Sequence, residues 1–142
     1  MPLLLEIVTP ERLAYSDTVD AVTLPGIEGE LGVLPHHAPL VSMLGLGELR
    51  IRKGGAEESF AIAGGFLQVL PDKVVVMAET ADMASEIDVE RAAEARREAE
   101  RALETGFHEG ADLSAARAAL QQALLRERVA QRRHREGPRR RA

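Results

Sequence analysis

Short apolar runs built from Val, Ile and Leu fill the first part of the chain: Leu3–Val8, Leu13–Leu24, Leu40–Leu44, Glu48–Arg52, Phe60–Ala63, Phe66–Leu70 and Val74–Ala78. Turn signals separate them at Thr9-Pro10, Pro25-Gly26, Lys53-Gly54-Gly55, Gly64-Gly65 and Pro71-Asp72. Short strands at this spacing predict an all-β sandwich or barrel. Lys53-Gly54-Gly55 and Pro71-Asp72-Lys73 have the composition of hairpin turns. The pair Gly64-Gly65 reads as a bulge or a close packing contact. A phosphate loop would need a basic residue and a helix start after it, and neither follows. Glu28–Leu40 packs Gly29, Gly32, Pro35, His36, His37 and Pro39 among Leu31, Val33 and Leu34. Proline fixes φ and removes a donor, so the segment is expected to be a shaped surface loop and not a central strand.

After Ala81 the period changes. Ala92, Ala95, Ala99, Ala102 and Leu103 recur at helical spacing in a stretch rich in Ala, Glu and Arg. Asp88 is the expected N-cap, with Ser85 as the alternative. Thr105-Gly106 stops this helix, Gly110 marks a loop, and Asp112 caps a second helix with Leu113, Ala116, Leu120, Ala123 and Leu124 as its apolar stripe. So short a loop predicts an antiparallel αα-hairpin. A stripe of alanines buries little area at ~25 cal/mol per Å², so the hairpin is expected to be marginal alone and movable. At about 1.5 Å per residue, Asp88–Glu104 spans about 25 Å and Asp112–Arg135 about 36 Å, an overhang of roughly two turns. That overhang, Val129–Arg135, has hardly any apolar stripe and carries Arg132, Arg133 and Arg135. It is either solvated or built for an acidic partner. The expected organisation is a β-sandwich over residues 1–84, a helical hairpin over 85–136 and a disordered basic tail over 137–142.

Composition narrows the chemistry. Of 142 residues, 45% are hydrophobic but only 3% aromatic, so the core must be aliphatic. There is no cysteine, which removes disulfides and thiolate chemistry. The apolar start, Met1–Val8, is short and lacks a basic lead and a cleavage site, so it is not read as a signal peptide. No apolar run approaches the ~18 residues of a membrane span. A soluble, cytoplasmic chain that meets a membrane only through partners is expected. Charge is uneven: Met1–Ser85 carries 5 basic and 12 acidic residues, Glu86–Ala142 carries 13 basic and 11 acidic. Halves of opposite sign suggest modules with different partners. His36 and His37 are adjacent in an extended loop and point to opposite sides, so no metal site is expected. No nucleophile–base pair is visible, and the chain is not expected to be an enzyme. The arginine tail lacks interleaved aromatics and the whole chain is acidic, which argues against nucleic acid.

Several segments, in this order, resemble the epsilon subunit of the bacterial F-type ATP synthase: Pro25-Gly26, Glu28–Leu40, Ala63-Gly64-Gly65-Phe66, Val74–Glu79 and Ile87–Ala92. They cover nearly the whole chain apart from the arginine-rich tail. The resemblance implies a rotor subunit that joins gamma to the c-ring and restrains ATP hydrolysis through its helical hairpin. It implies that Glu30 faces the c-ring and His37 faces gamma. It implies that Arg126, Arg128, Arg132 and Arg133 meet an acidic loop of the catalytic beta subunits. Ile87–Ala92 matches the family's nucleotide motif, which carries Asp82, Ile87, Asp88, Arg91, Ala92 and Arg128 over as ATP-binding positions. Two family arginine positions fall at Glu98 and Leu124 instead, so ATP is expected as a weak regulatory ligand and no cofactor as required. The implied location is peripheral, on the cytoplasmic face of the bacterial cell membrane. The rival readings are a nucleic-acid-binding or small-molecule-binding β-barrel adaptor with a basic helical tail.

Overall fold

The computed structural model describes residues 3–105, 111–136 and 139–140. Eight strands come first: β1 (Leu3–Val8), β2 (Leu13–Val19), β3 (Ala21–Gly26), β4 (Gly29–Val33), β5 (Leu40–Leu44), β6 (Gly47–Lys53), β7 (Ala56–Leu70) and β8 (Lys73–Met83). A 3₁₀ turn, Ala84–Glu86, leads into helices α1 (Val89–Thr105) and α2 (Ala111–Glu136), and Arg139–Arg140 forms β9.

One layer runs β2-β1-β8-β7-β5, with β1 and β8 parallel and the other neighbours antiparallel. The other is built from β4, β3, β6 and the first half of β7. Strand β7 joins the layers: Lys53↔Ala56 to Gly47↔Ile62 pair it with β6, and Leu44↔Gly65 to Leu40↔Val69 pair it with β5. Strand β8 follows β7 along both halves. Leu3, Leu5, Ile7, Leu24, Leu49, Ile51, Phe60, Ile62, Leu67 and Val69 are fully enclosed between the layers.

The corner of β7 is Gly64-Gly65. The pairs Ala63↔Thr80 and Gly65↔Ala78 keep one register across it, so there is no bulge; of the two expectations the close contact is the one found. Both glycines have positive φ, 62° and 119°, and a Cβ on Gly65 would lie 2.0 Å from the Met77 carbonyl oxygen. The face turned to the core changes here, from Phe60 and Ile62 before the pair to Leu67 and Val69 after it. Strands that pass between layers do so at such bends.

Two other expectations change. The run Leu13–Leu24 breaks at Asp20, whose N–H donates to the Arg52 carbonyl at 2.8 Å and whose carboxylate accepts from the Gly54 N–H at 2.8 Å. The two pieces then pair with different strands. In Glu28–Leu40 the loop is only the second half. Gly29–Val33 is strand β4, in a hairpin with β3 closed at Gly26↔Gly29, and both prolines lie beyond it.

Asp88 caps α1, its Oδ1 accepting from the N–H groups of Glu90 (2.9 Å) and Arg91 (3.1 Å). Ser85, the alternative cap, lies in the 3₁₀ turn. The expected breaks at Gly106 and Gly110 lie outside the described residues. Helix α2 folds back along α1, with Arg96 of α1 bonded to Glu127 of α2 at 2.6 Å. Its expected stripe holds through Leu113, Ala116 and Leu120, which are half-buried, to Ala123, which is buried; only Leu124 departs, at 44% exposed, while Leu125, Val129 and Ala130 are buried beyond it. The reason is a second apolar cluster, in which those three residues meet Ala61 of β7 with Ala84, Ile87 and Ala92. The sandwich, as well as α1, sets the face that α2 buries. The expected overhang therefore starts as a docking surface. In the tail expected to be disordered, Arg139–Arg140 pairs antiparallel with Ala56–Glu57.

Candidate functional site

Four of the five sequence-local motif positions are drawn together by the start of α1, and the fifth joins them. Ile87, Asp88, Arg91 and Ala92, with Asp82 from the end of β8, line a pocket of about 230 Å³. Arg12 from the β1–β2 loop, Glu86 and Arg126 from α2 complete its charged wall. Asp82 Oδ2 accepts from Arg126 Nε at 3.2 Å. Three arginines from three separate segments thus face three acids. The Asp88 carboxylate serves the helix cap, and the Arg91 backbone N–H is one of the groups it holds. Arg128 does not line the pocket; it is exposed, four residues along α2 from the exposed Leu124. Arg126 is in its place. The Arg128 position rests on the family resemblance and not on the helical period, and the docked hairpin turns Arg126 to Asp82 in its stead. Arg12 gave no signal in sequence, since it is far from the motif and in a turn.

The arginines expected to meet a partner are mostly engaged within the chain. Arg126 pairs with Asp82, Arg132 with Glu48 of β6, and Arg133 with Glu58 of β7 at 3.4 Å. Arg128 is exposed.

Glu30 and His37 lie apart. Glu30 sits in the β3–β4 hairpin, and its Oε2 accepts from Arg50 Nη2 on β6 at 2.9 Å. His37 follows His36, which has φ 68° and donates its N–H to the Pro71 carbonyl at 2.6 Å. The His37 ring Nδ1 is 2.8 Å from the Ala38 carbonyl oxygen. Among the described residues no three His, Asp or Glu side chains converge as a metal site would require. Beyond these two, Met43 of β5, Phe66 of β7 and Met77 of β8 are exposed and adjacent in register, an apolar row across three strands. A shallow depression of about 370 Å³ lies beside Phe66 and Met77.

The description "ATP synthase, Delta/Epsilon chain, beta-sandwich domain" matches residues 2–84, and "ATP synthase, Delta/Epsilon chain, long alpha-helix domain" matches residues 85–131. The chain belongs to the ATP synthase epsilon-chain family. An ATP synthase epsilon chain of Dehalococcoides mccartyi is 47% identical over 131 residues, covering 92% of this chain and 94% of that one. One of Syntrophobacter fumaroxidans is 51% identical over 127 residues, covering 89% and 94%. The structure is also similar to a chain of the Euglena gracilis mitochondrial ATP synthase OSCP/F1/c-ring assembly, with TM-score 0.75, 30% identity and coverage of 89% and 80%. A chain of the Tetrahymena thermophila central stalk and c-ring shares the fold at TM-score 0.60 and 15% identity. Epsilon chains are non-catalytic stalk subunits of the ATP synthase, a membrane-bound complex. No helix among the described residues of this one is long and apolar enough to cross a membrane. The family replaces the two adaptor readings.

Proposed function

We propose that this subunit binds gamma and the c-ring through its sandwich and restrains ATP hydrolysis through its hairpin, from the cytoplasmic face of the bacterial membrane. The docked hairpin is the observation that carries the regulatory part. It rests on the sandwich through a small cluster that is largely alanine, Ala61, Ala84, Ala92 and Ala130 among its seven buried members, together with three ion pairs. Such a contact is weak enough to release, and its release exposes Arg126, Arg132 and Arg133 beside Arg128 for an acidic surface of the beta subunits. The exposed row Met43, Phe66 and Met77 supports a protein partner for the sandwich, since contiguous apolar surface marks interaction sites. Glu30 and His37 are the proposed contacts to the c-ring and gamma.

Truncation after Ser85 is expected to raise hydrolysis by the reconstituted complex and leave assembly intact. Replacing Arg126, Arg128, Arg132 and Arg133 with Ala is expected to do much the same, with each single change weak. Unchanged hydrolysis after truncation refutes the latch. Glu30→Ala with His37→Ala is expected to weaken co-purification with gamma and the c-ring from membrane extracts; full recovery of the double variant refutes that contact.

ATP is the proposed ligand of the pocket lined by Asp82, Ile87, Asp88, Arg91, Ala92 and Arg126. A ligand that spans sandwich and hairpin stabilises the docked state by RT ln(1 + [L]/Kd), about 2.7 kcal/mol at a hundredfold excess. Calorimetric titration is expected to give weak, millimolar binding that Arg91→Ala abolishes. Equal heats from both proteins reduce the motif to a helix start.

A further inference from the structure

The basic residues of α2 are matched to a row of carboxylates on the outer face of the sandwich. Strand register places Glu48 of β6 opposite Ala61 of β7, and Ala61 opposite Asp82 of β8. The two acids therefore flank an alanine in a single row across three strands. Neighbouring strands lie about 4.8 Å apart, so the outer two are about 9.6 Å apart. Arg126 pairs with Asp82 and Arg132 with Glu48. Those arginines are six residues apart, and six residues of helix advance about 9 Å. The spacing of the arginines along the helix thus reproduces the spacing of the acids across the sheet.

The middle of the row is shaped for the same contact. Val129, midway between the arginines, and Ala130 are buried against the cluster that contains Ala61. Ala61 on the strand and Ala130 on the helix are both small, which favours a close approach within that cluster. Arg133 adds a pair to Glu58, toward which Ser85 Oγ also donates at 3.4 Å. None of the six charged side chains is more than 40% exposed. These are half-enclosed pairs in one array, unlike isolated surface pairs that contribute little.

We propose that Glu48, Glu58 and Asp82 are an internal competitor for the arginines of α2. The partner that fits those arginines is a protein surface bearing carboxylates on a spacing of about 10 Å, as the sandwich row does. It receives the arginines only when the sandwich row gives them up. This rests on the latch reading above and adds to it the element that sets the resting position, and with it a sign. Loss of the arginines removes the inhibitory contact. Loss of the sandwich acids leaves the arginines free and strengthens inhibition.

The test uses the full chain with Glu48→Gln and Glu58→Gln together. Asp82 is left in place because it also lines the pocket at the start of α1. In the isolated chain, tryptic cleavage within α2 is expected to rise about tenfold over the unchanged protein, and high salt is expected to bring the unchanged protein part of the way there. In the reconstituted complex the same variant is expected to lower ATP hydrolysis, opposite in direction to the four-arginine variant. Glu48→Gln alone is expected to act in the same direction more weakly, and circular dichroism of both variants is expected to retain the sandwich signal. Unchanged cleavage overturns the proposal, as does hydrolysis that rises or stays constant when cleavage increases. If truncation after Ser85 activates hydrolysis while the double variant is silent, the latch stands and the competitor row falls.

Discussion

Leu124 and Leu125 are adjacent on α2 and chemically identical, yet the structure predicts opposite outcomes when each is cut back to alanine. Leu125 is 5% exposed in the cluster formed with Ala61, Ile87 and Val129, whereas Leu124 is 44% exposed. Burying a leucine contributes about 1.5–3 kcal/mol, and a cavity adds to the loss when the surroundings cannot close. A docked hairpin closes more readily than a sealed core, so Leu125→Ala is placed near the lower end of the usual range, about 2–3 kcal/mol. At about 1.4 kcal/mol per factor of ten, the docking equilibrium moves by roughly 30- to 150-fold. Leu124→Ala should stay within about 0.5 kcal/mol, as exposed substitutions do. The assay is amide hydrogen exchange along α2 in the isolated chain, with the sandwich amides as internal reference. Leu125→Ala should lose protection in α2 while the β7 amides keep theirs. Equal effects from the two variants, or a larger effect from Leu124→Ala, would refute the assigned face of the helix.

Three further outcomes follow from named contacts. Gly65→Ala would drive a Cβ into the Met77 carbonyl at a φ of 119°, and should cost about 3 kcal/mol or more in urea unfolding, whereas Gly64→Ala meets only the flexible Glu79 side chain and should cost about 1–2 kcal/mol. Asp88→Ala removes the acceptor for two N–H groups at the start of α1 and should cost about 0.5–2 kcal/mol of helix stability by thermal circular dichroism, with Asp88→Asn near neutral. The Lys53 ammonium donates to Asp17 and, with the Thr18 N–H, holds its carboxyl below the usual range, while the same contact raises Lys53. The Asp17 contribution to stability is then present above the unfolded value of about 3.9 and lost as pH falls through the folded value; the Lys53 contribution is present below about 10.4 and lost as pH rises through its folded value. Lys53→Met should move the Asp17 midpoint, read by NMR, back toward the ordinary carboxylate range.

The strand-rich half was legible because its buried positions are aliphatic runs punctuated by Gly and Pro, and that signal is local. What escaped depends on pairing at a distance. Asp20 breaks Leu13–Leu24 through contacts to Arg52 and Gly54, more than thirty positions away. Strand β4 was hidden because Pro35 and Pro39 lent their character to Gly29–Val33, which precedes both. The helix cap was readable from Asp88 alone, since capping is a contact over two or three residues. The face of α2 was readable as far as Ala123, but the choice of Leu125 over Leu124 was not, because only the sandwich selects between two adjacent leucines. Asp82 and the motif residues Ile87, Asp88, Arg91 and Ala92 do line one pocket, but Arg12 and Arg126 enter it through folding alone.

Under the proposed coupling role, the subunit is strained at whatever joins its parts. In many two-layer β proteins the layers meet only through side chains, and a sideways push lets one slide over the other at modest cost. Here β7 and β8 run through both layers, keeping one register with each other from Leu70↔Lys73 to Phe60↔Met83. Sliding one layer past the other would have to stretch the main-chain ladder at the Gly64-Gly65 corner. The sandwich is thus stiff in shear along the axis of that hairpin, and the ladder ends only at Met83, where the 3₁₀ turn leads into the helices.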